Sequence, residues 1–235
     1  MTATGASFLT SFLTASAGIG GGAALLGVLA AILPPAALIP VHGVVQFASN
    51  AGRTALMRAA VHGPALPWFL AGTAAGALAG GATLTALPPA VVEIAVGCFI
   101  LWSVYGRMPS WGVGAAAPAG AISSVLTMAF GATGPFVMAW VRGLGLERQG
   151  VVATHAALMS GQHGLKCVAF GLFGFAFGPW LGLCVAMAAA GFLGTVAGRK
   201  VLLRRAEAAF RRVLDIVLTL LAARLLWSGV AALAA

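Results

Sequence analysis

Apolar runs long enough to cross a bilayer follow one another along nearly the whole chain, and no other feature restricts its fold so strongly. Read for runs broken by proline, glycine and charge, the 235 residues divide into eight hydrophobic segments. These cover approximately 6–33, 36–57, 65–87, 89–105, 118–141, 150–172, 178–198 and 211–233. A soluble fold of this size needs a polar shell, and the composition cannot supply one. Only 7% of residues are charged, against about 25% in ordinary soluble domains. Hydrophobic residues make up 61%, and the mean hydropathy is +1.04. Soluble enzymes, nucleic-acid binders and disordered proteins are excluded. The chain reads as an all-α polytopic membrane protein.

The net charge of +9 fits that class, because Lys and Arg collect on cytoplasmic loops of membrane proteins. All six tryptophans and the single tyrosine fall in loops or near segment ends, as an aromatic belt requires. Cys98, Cys167 and Cys184 lie in apolar stretches without CxxC spacing, so neither a disulfide framework nor a zinc site is expected. The opening MTATGASFLT has no basic run, which predicts no cleaved signal peptide.

Two segments differ from the others. The first carries Gly18-Ile-Gly-Gly-Gly22 in its middle, and the fifth carries Gly131-Ala-Thr-Gly-Pro135. Glycine and proline destabilise a helix interior by about 1 and 3 kcal/mol. Each segment is therefore expected to be two short arms around an irregular break, either crossing the membrane or turning back as a re-entrant hairpin. Ten basic residues lie in connections or at segment ends: Arg58, Arg107, Arg142, Arg148, Arg199, Lys200, Arg204, Arg205, Arg211 and Arg212. If all eight segments cross, Arg58 and Arg107 fall opposite the rest. If the broken segments are hairpins, all ten share one face, which the positive-inside rule favours.

The halves also align with each other. Adding 113 to the number places Gly18 on Gly131, Gly21 on Gly134, His42 on His155, Asn50 on His163, Arg53 on Lys166 and Gly81 on Gly194. An offset of 122 then places Glu93 on Asp215, the difference falling in the basic 199–212 connection. The reading is two inverted repeats, 1–111 and 112–235, each a broken helix plus three transmembrane helices. Three crossings are an odd number, so the second repeat is upside-down relative to the first. Transporters use this architecture, with the substrate between the repeats near the midplane.

The glycine-rich SAGIGGGAALLGVLAAILPP, the following VHGVVQFASNAGR and its partner THAALMSGQHGLK resemble the TauE/SafE family of sulfite and organosulfonate permeases. The resemblance extends over nearly the whole chain, although GATGP stands where the family often repeats a glycine run. It implies transport of sulfur-containing oxyanions across the inner membrane of a cell, and no cofactor.

Ionisable groups within a membrane are functional candidates, because burying them is costly. On the second segment His42, Gln46, Ser49, Asn50 and Arg53 share one helical stripe, and on the sixth His155, Gln162, His163 and Lys166 form its match. No carboxylate lies on either segment, a polarity that suits an anion. Arg53 offers a planar fork and Lys166 a point charge. Gly20, Gly21 and Gly22 in one break, and Thr133 and Gly134 in the other, add free N–H groups at the starts of the second arms. These residues are the candidate substrate-binding set; no catalytic or metal-binding residue is expected. Each has a plainer reading: Arg53 and Lys166 close enough to segment ends to snorkel, the histidines as helix-to-helix hydrogen bonds, the glycines as packing contacts. Glu93 and Asp215 read as helix-start carboxylates favourable to the dipole, with proton coupling as the alternative. An anion channel, a permease for another small anion and a non-transporting subunit are the rival functions. Enzyme motifs such as HExxH or GxSxG are absent.

Overall fold

A computed structural model describes residues 2–83, 88–106, 112–131, 133–202 and 207–234. Arg107, Trp111, Arg204, Arg205 and the side chain of Glu93 lie outside the described residues. What is described is helical, with no strand. Ten helices follow in order: α1 (Ala3–Ala17), α2 (Gly21–Ala30), α3 (Pro35–Leu56), α4 (Leu66–Thr83), α5 (Pro89–Tyr105), α6 (Ala116–Phe130), α7 (Gly134–Arg142), α8 (Arg148–Leu172), α9 (Leu181–Leu202) and α10 (Glu207–Ala234). Two 3-10 turns, Arg58–Ala60 and Gly63–Ala65, lead into α4, and one each into α6 and α9.

Both glycine-bearing segments are broken as expected. Helix α1 ends at Gly18, whose φ of 87° lies in the left-handed region, and α6 ends at Gly131 with φ of 76°. That conformation costs glycine little and other residues much more. The two ends are built alike: Gly18 N donates to Thr14 O at 2.7 Å, and Gly131 N to Thr127 O at 2.9 Å. After each break the chain doubles back. Gly21 lies against the carbonyl of Thr10, seven residues before the end of α1, so closely that a Cβ there would collide with it. In the other segment the Ser123 hydroxyl donates to Thr133 Oγ1 at 3.0 Å. Ala6 shares a core cluster with Leu25, Leu29 and Leu33, and Ala116 and Ala119 share one with Phe136, Val137 and Trp140. The start of each first arm thus packs in one core with residues of the second arm, making two helical hairpins, α1–α2 and α6–α7.

Small residues set the closest helix crossings. Gly194 and Gly198 of α9 press against the carbonyls of Phe8 and Phe12 on α1, and Gly72 and Gly76 of α4 against those of Ala117 and Ala121 on α6. A side chain at any of these positions would hold the backbones apart. Helices α3 and α8 pack on each other in the middle, α3 also against α9 and α8 against α4, while α5 pairs chiefly with α10.

Polarity runs from inside to outside in the reverse of a water-soluble fold. Arg53, Lys166, His42, His155, His163 and Gln162 are buried, while Phe47, Val168, Leu172, Leu193, Leu220 and Trp227 are exposed. Such an apolar exterior suits hydrocarbon as solvent. Among the described residues one helix, Gly178–Val201, is long and apolar enough to cross a membrane by that test alone. Physical reasons account for six of the others. The hairpin arms are 15, 10, 15 and 9 residues long, and α3 and α8 carry the polar stripes.

Candidate functional site

The stripes of α3 and α8 face each other at the centre and meet the breaks of both hairpins. A small cavity of about 30 Å³ lies there, room for a water-sized group, so a larger ligand needs the surrounding side chains or hairpins to move. Its lining takes in Gly20, Gly22, His42, Gln46, Asn50, Gly134, His155 and His163 from the expected set. Thr14, Ile19, Ala23, Pro135 and Met159 complete it. Gly21, Ser49, Arg53, Thr133, Gln162 and Lys166 stand behind this lining.

Two histidines hold the start of a second arm each. His42 Nε2 donates to the Gly22 carbonyl at 2.9 Å, and His155 Nε2 to the Gly134 carbonyl at 3.1 Å. A carbonyl oxygen only accepts, so Nε2 carries the hydrogen in both rings. The Nδ1 atoms of His42, His155 and His163 are buried with no hydrogen-bond partner among the described residues. His163 stands edge-on to His42, with ring centroids 6.0 Å apart.

The cations differ. Lys166, fully buried, donates from Nζ to the Gly131 carbonyl at 3.3 Å, at the C-terminal end of α6. Gly43 on α3 leaves room for it, since a Cβ there would come within 2.9 Å of Lys166 Cε. A cation beside the last carbonyls of a helix is favoured by the helix dipole. Arg53 is 1% exposed, and its Nε, Nη1 and Nη2 have no hydrogen-bond partner among the described residues. It acts electrostatically on His155 of the opposite half, as Lys166 acts on His42. Neither cation reaches solvent as a snorkelling side chain would. A buried, unpaired guanidinium carries an effective desolvation penalty of several kcal/mol. An anion brought to it would offset that penalty.

Gln162 and Ser49 occupy matched positions and do different things. Gln162 Nε2 donates to Thr133 Oγ1 and to the Ser123 carbonyl, both at 3.0 Å, and its Oε1 accepts from the Ser123 hydroxyl at 3.0 Å. Ser49 exchanges one hydroxyl bond with Ser11 at 3.0 Å. Sequence reasoning overlooked the hydroxyls of the first arms, which are buried at Thr10, Ser11 and Thr14 and again at Ser123, Ser124 and Thr127. The offset of 113 maps one trio onto the other, and that signal was available. Arg224 is exposed on α10 and does not line the cavity. His62 is held by its backbone, its N–H donating to Thr154 Oγ1 at 2.8 Å.

An apolar exterior around a buried cluster of cations and imidazoles, with broken helices at its centre, defines a helical membrane protein with an internal polar site. A family model described as sulfite exporter TauE/SafE matches residues 3–225, and the chain belongs to that family. Membership makes it a membrane transport protein of a family of transporters rather than enzymes. No curated protein and no solved structure matches the chain.

Proposed function

We propose that the protein is an inner-membrane permease for small sulfur-containing oxyanions, sulfite or an organosulfonate, working by alternating access around the cavity between α3 and α8. The observation that carries this reading is the Arg53 guanidinium, buried beside the site with its three nitrogens unpaired among the described residues. A sulfonate or sulfite head presents three acceptor oxygens, and a planar fork can bind two of them at once. The N-terminal ends of α2 and α7, Gln46 and Asn50 supply further donors at the cavity. Lys166 adds positive potential behind His42. Gly20 and Gly22 let an anion approach the backbone closely.

In this reading residues 1–111 and 112–235 are two inverted repeats. Each contributes one re-entrant hairpin and three crossings: α3, α4 and α5 in the first, α8, α9 and α10 in the second. Support comes from packing that exchanges under the offset. The pair α1 with α9 becomes α6 with α4, and the α3–α8 and α5–α10 pairs map onto themselves. The bonds from His42 to Gly22 and from His155 to Gly134 exchange less strictly, one residue out of register, because the offset carries Gly22 to Pro135. Rocking of one repeat against the other opens the cavity to each side in turn.

Sulfite flux into proteoliposomes tests the proposal, with Arg53→Ala and Lys166→Ala as variants and sulfate as competitor. Saturable flux with counterflow, lost in Arg53→Ala, is the expected result. Unsaturable flux would make the protein a channel. Absence of sulfite and sulfonate flux from folded protein would overturn the substrate assignment.

A further inference from the structure

The two hairpins are tied unequally to α3 and α8, the helices at the centre, and the inequality follows from the sequence of the breaks. Against α9 the first hairpin has a bond of its own, from the Ser7 hydroxyl to the Met187 carbonyl at 2.7 Å, near the start of α1 and away from the break. In the second hairpin, position 133 is a threonine. Its hydroxyl accepts from Gln162 of α8 and from Ser123, closing one network across both arms. Lys166 of α8 holds the Gly131 carbonyl at the turn itself, and His155 of α8 holds Gly134. One helix therefore grips the turn and both arms of α6–α7.

In the first hairpin the corresponding residues are Gly20, Ser49 and Arg53. Gly20 has no side chain to accept a bond and sits at φ of 100°. Ser49 reaches only the first arm, through Ser11. Arg53 makes no bond at all to the Gly18–Gly22 break. His42 on Gly22 and Ser49 on Ser11 are the side-chain ties from α3 to this hairpin among the described residues. A hydrogen bond from a charged donor is stronger than one between neutral groups, and Lys166 supplies one to the second turn that the first turn lacks. Chain entropy favours motion of the first break too, since Gly18, Gly20, Gly21 and Gly22 are all glycine.

We propose that α1–α2 is the moving gate of the transporter and α6–α7 its fixed wall, with Lys166 a positioning residue that pins the wall rather than a ligand of the anion. The assignment rests on the transport reading above. Arg53 belongs to the same picture: left unbonded by the mobile hairpin, it is the cation available to an anion.

The test uses single cysteines at the two breaks, Ile19→Cys and Pro135→Cys, in full-length protein carrying Cys98→Ala, Cys167→Ala and Cys184→Ala, reconstituted in liposomes. A membrane-impermeant maleimide reads their reactivity. Without any anion, Lys166→Gln is expected to raise the labelling rate of Pro135→Cys about tenfold, the size of one lost charge-assisted bond, and to leave Ile19→Cys unchanged. Gln162→Ala should act in the same direction, and Lys166→Arg should restore the slow rate. Because this arm needs no anion, it stays readable if the sulfite assignment fails. In the second arm, sulfite alters labelling of Ile19→Cys but not of Pro135→Cys, and Lys166→Gln keeps sulfite-dependent thermal stabilisation that Arg53→Gln loses. Unchanged Pro135→Cys labelling in both Lys166→Gln and Gln162→Ala would overturn the proposal. So would loss of sulfite stabilisation in Lys166→Gln as complete as in Arg53→Gln.

Discussion

Neighbouring glycines at 21 and 22 have different jobs, and single substitutions separate them. A Cβ at Gly21 meets the Thr10 backbone carbonyl, which cannot retreat without moving α1, and the Thr14 hydroxyl. At Gly22 it meets only the Gln46 side-chain amide, at 3.2 Å, which can swing aside. Gly21→Ala is therefore expected to destabilise the fold by about 1–3 kcal/mol, the usual cost of overpacking. Gly22→Ala is expected to keep its Tm and weaken anion binding by crowding the cavity. Thermal unfolding in detergent, with and without sulfite, distinguishes the two. Equal loss of Tm in both would remove the distinction drawn from their neighbours.

Among the elements, the hairpins carry the most consequence, because they decide which ends of the chain share a side of the membrane. Helices α1 and α2 are antiparallel within one core cluster, so the segment leaves near where it enters. Single cysteines at Ala3 and Pro35, in a cysteine-free background, are expected to react with an impermeant thiol reagent from the same side. Reaction from opposite sides would mean that the segment crosses. Helix packing at this scale follows small residues rather than apolar bulk. The α1–α9 and α4–α6 crossings are set by glycines facing carbonyls, where lipid offers no hydrophobic drive for helices to associate.

For the whole molecule, the open matter is what drives transport. His42 and His155 keep Nε2 on a hairpin carbonyl and hold Nδ1 buried and unpaired, so each has one place for an added proton. A proton gained there adds positive charge beside Lys166 or Arg53 as the anion arrives. An imposed pH gradient is therefore expected to change flux. An organosulfonate is the substrate to use, because its charge does not change near neutrality whereas that of sulfite does. Complete insensitivity of sulfonate flux to the gradient would remove the histidines from the coupling.

Hydrophobic runs with few charges determined from sequence alone that the chain is helical and belongs in a membrane, because an unsatisfied backbone in hydrocarbon permits little else. The stripes of α3 and α8 were legible too: helical periodicity is local, and polar residues stand out on an apolar background. Glycine at 18 and 131 announced the breaks through backbone preference, which is also a local property. Three matters were decided only in three dimensions. Sequence could not say whether the broken segments turn back, since that depends on Gly21 meeting Thr10 and Thr133 meeting Ser123. Nor could it separate lining from support, because His42 and Gln162 look alike as buried polar residues until their partners are known. Most of all, Arg53 and Lys166 read as an equivalent pair from their spacing, yet Lys166 is bonded to a helix end while Arg53 has no partner among the described residues. A repeated pattern assigns matching positions, but hydrogen bonds form between particular atoms, and Thr133 and Gln162 on one side against Gly20 and Ser49 on the other make the two halves differ.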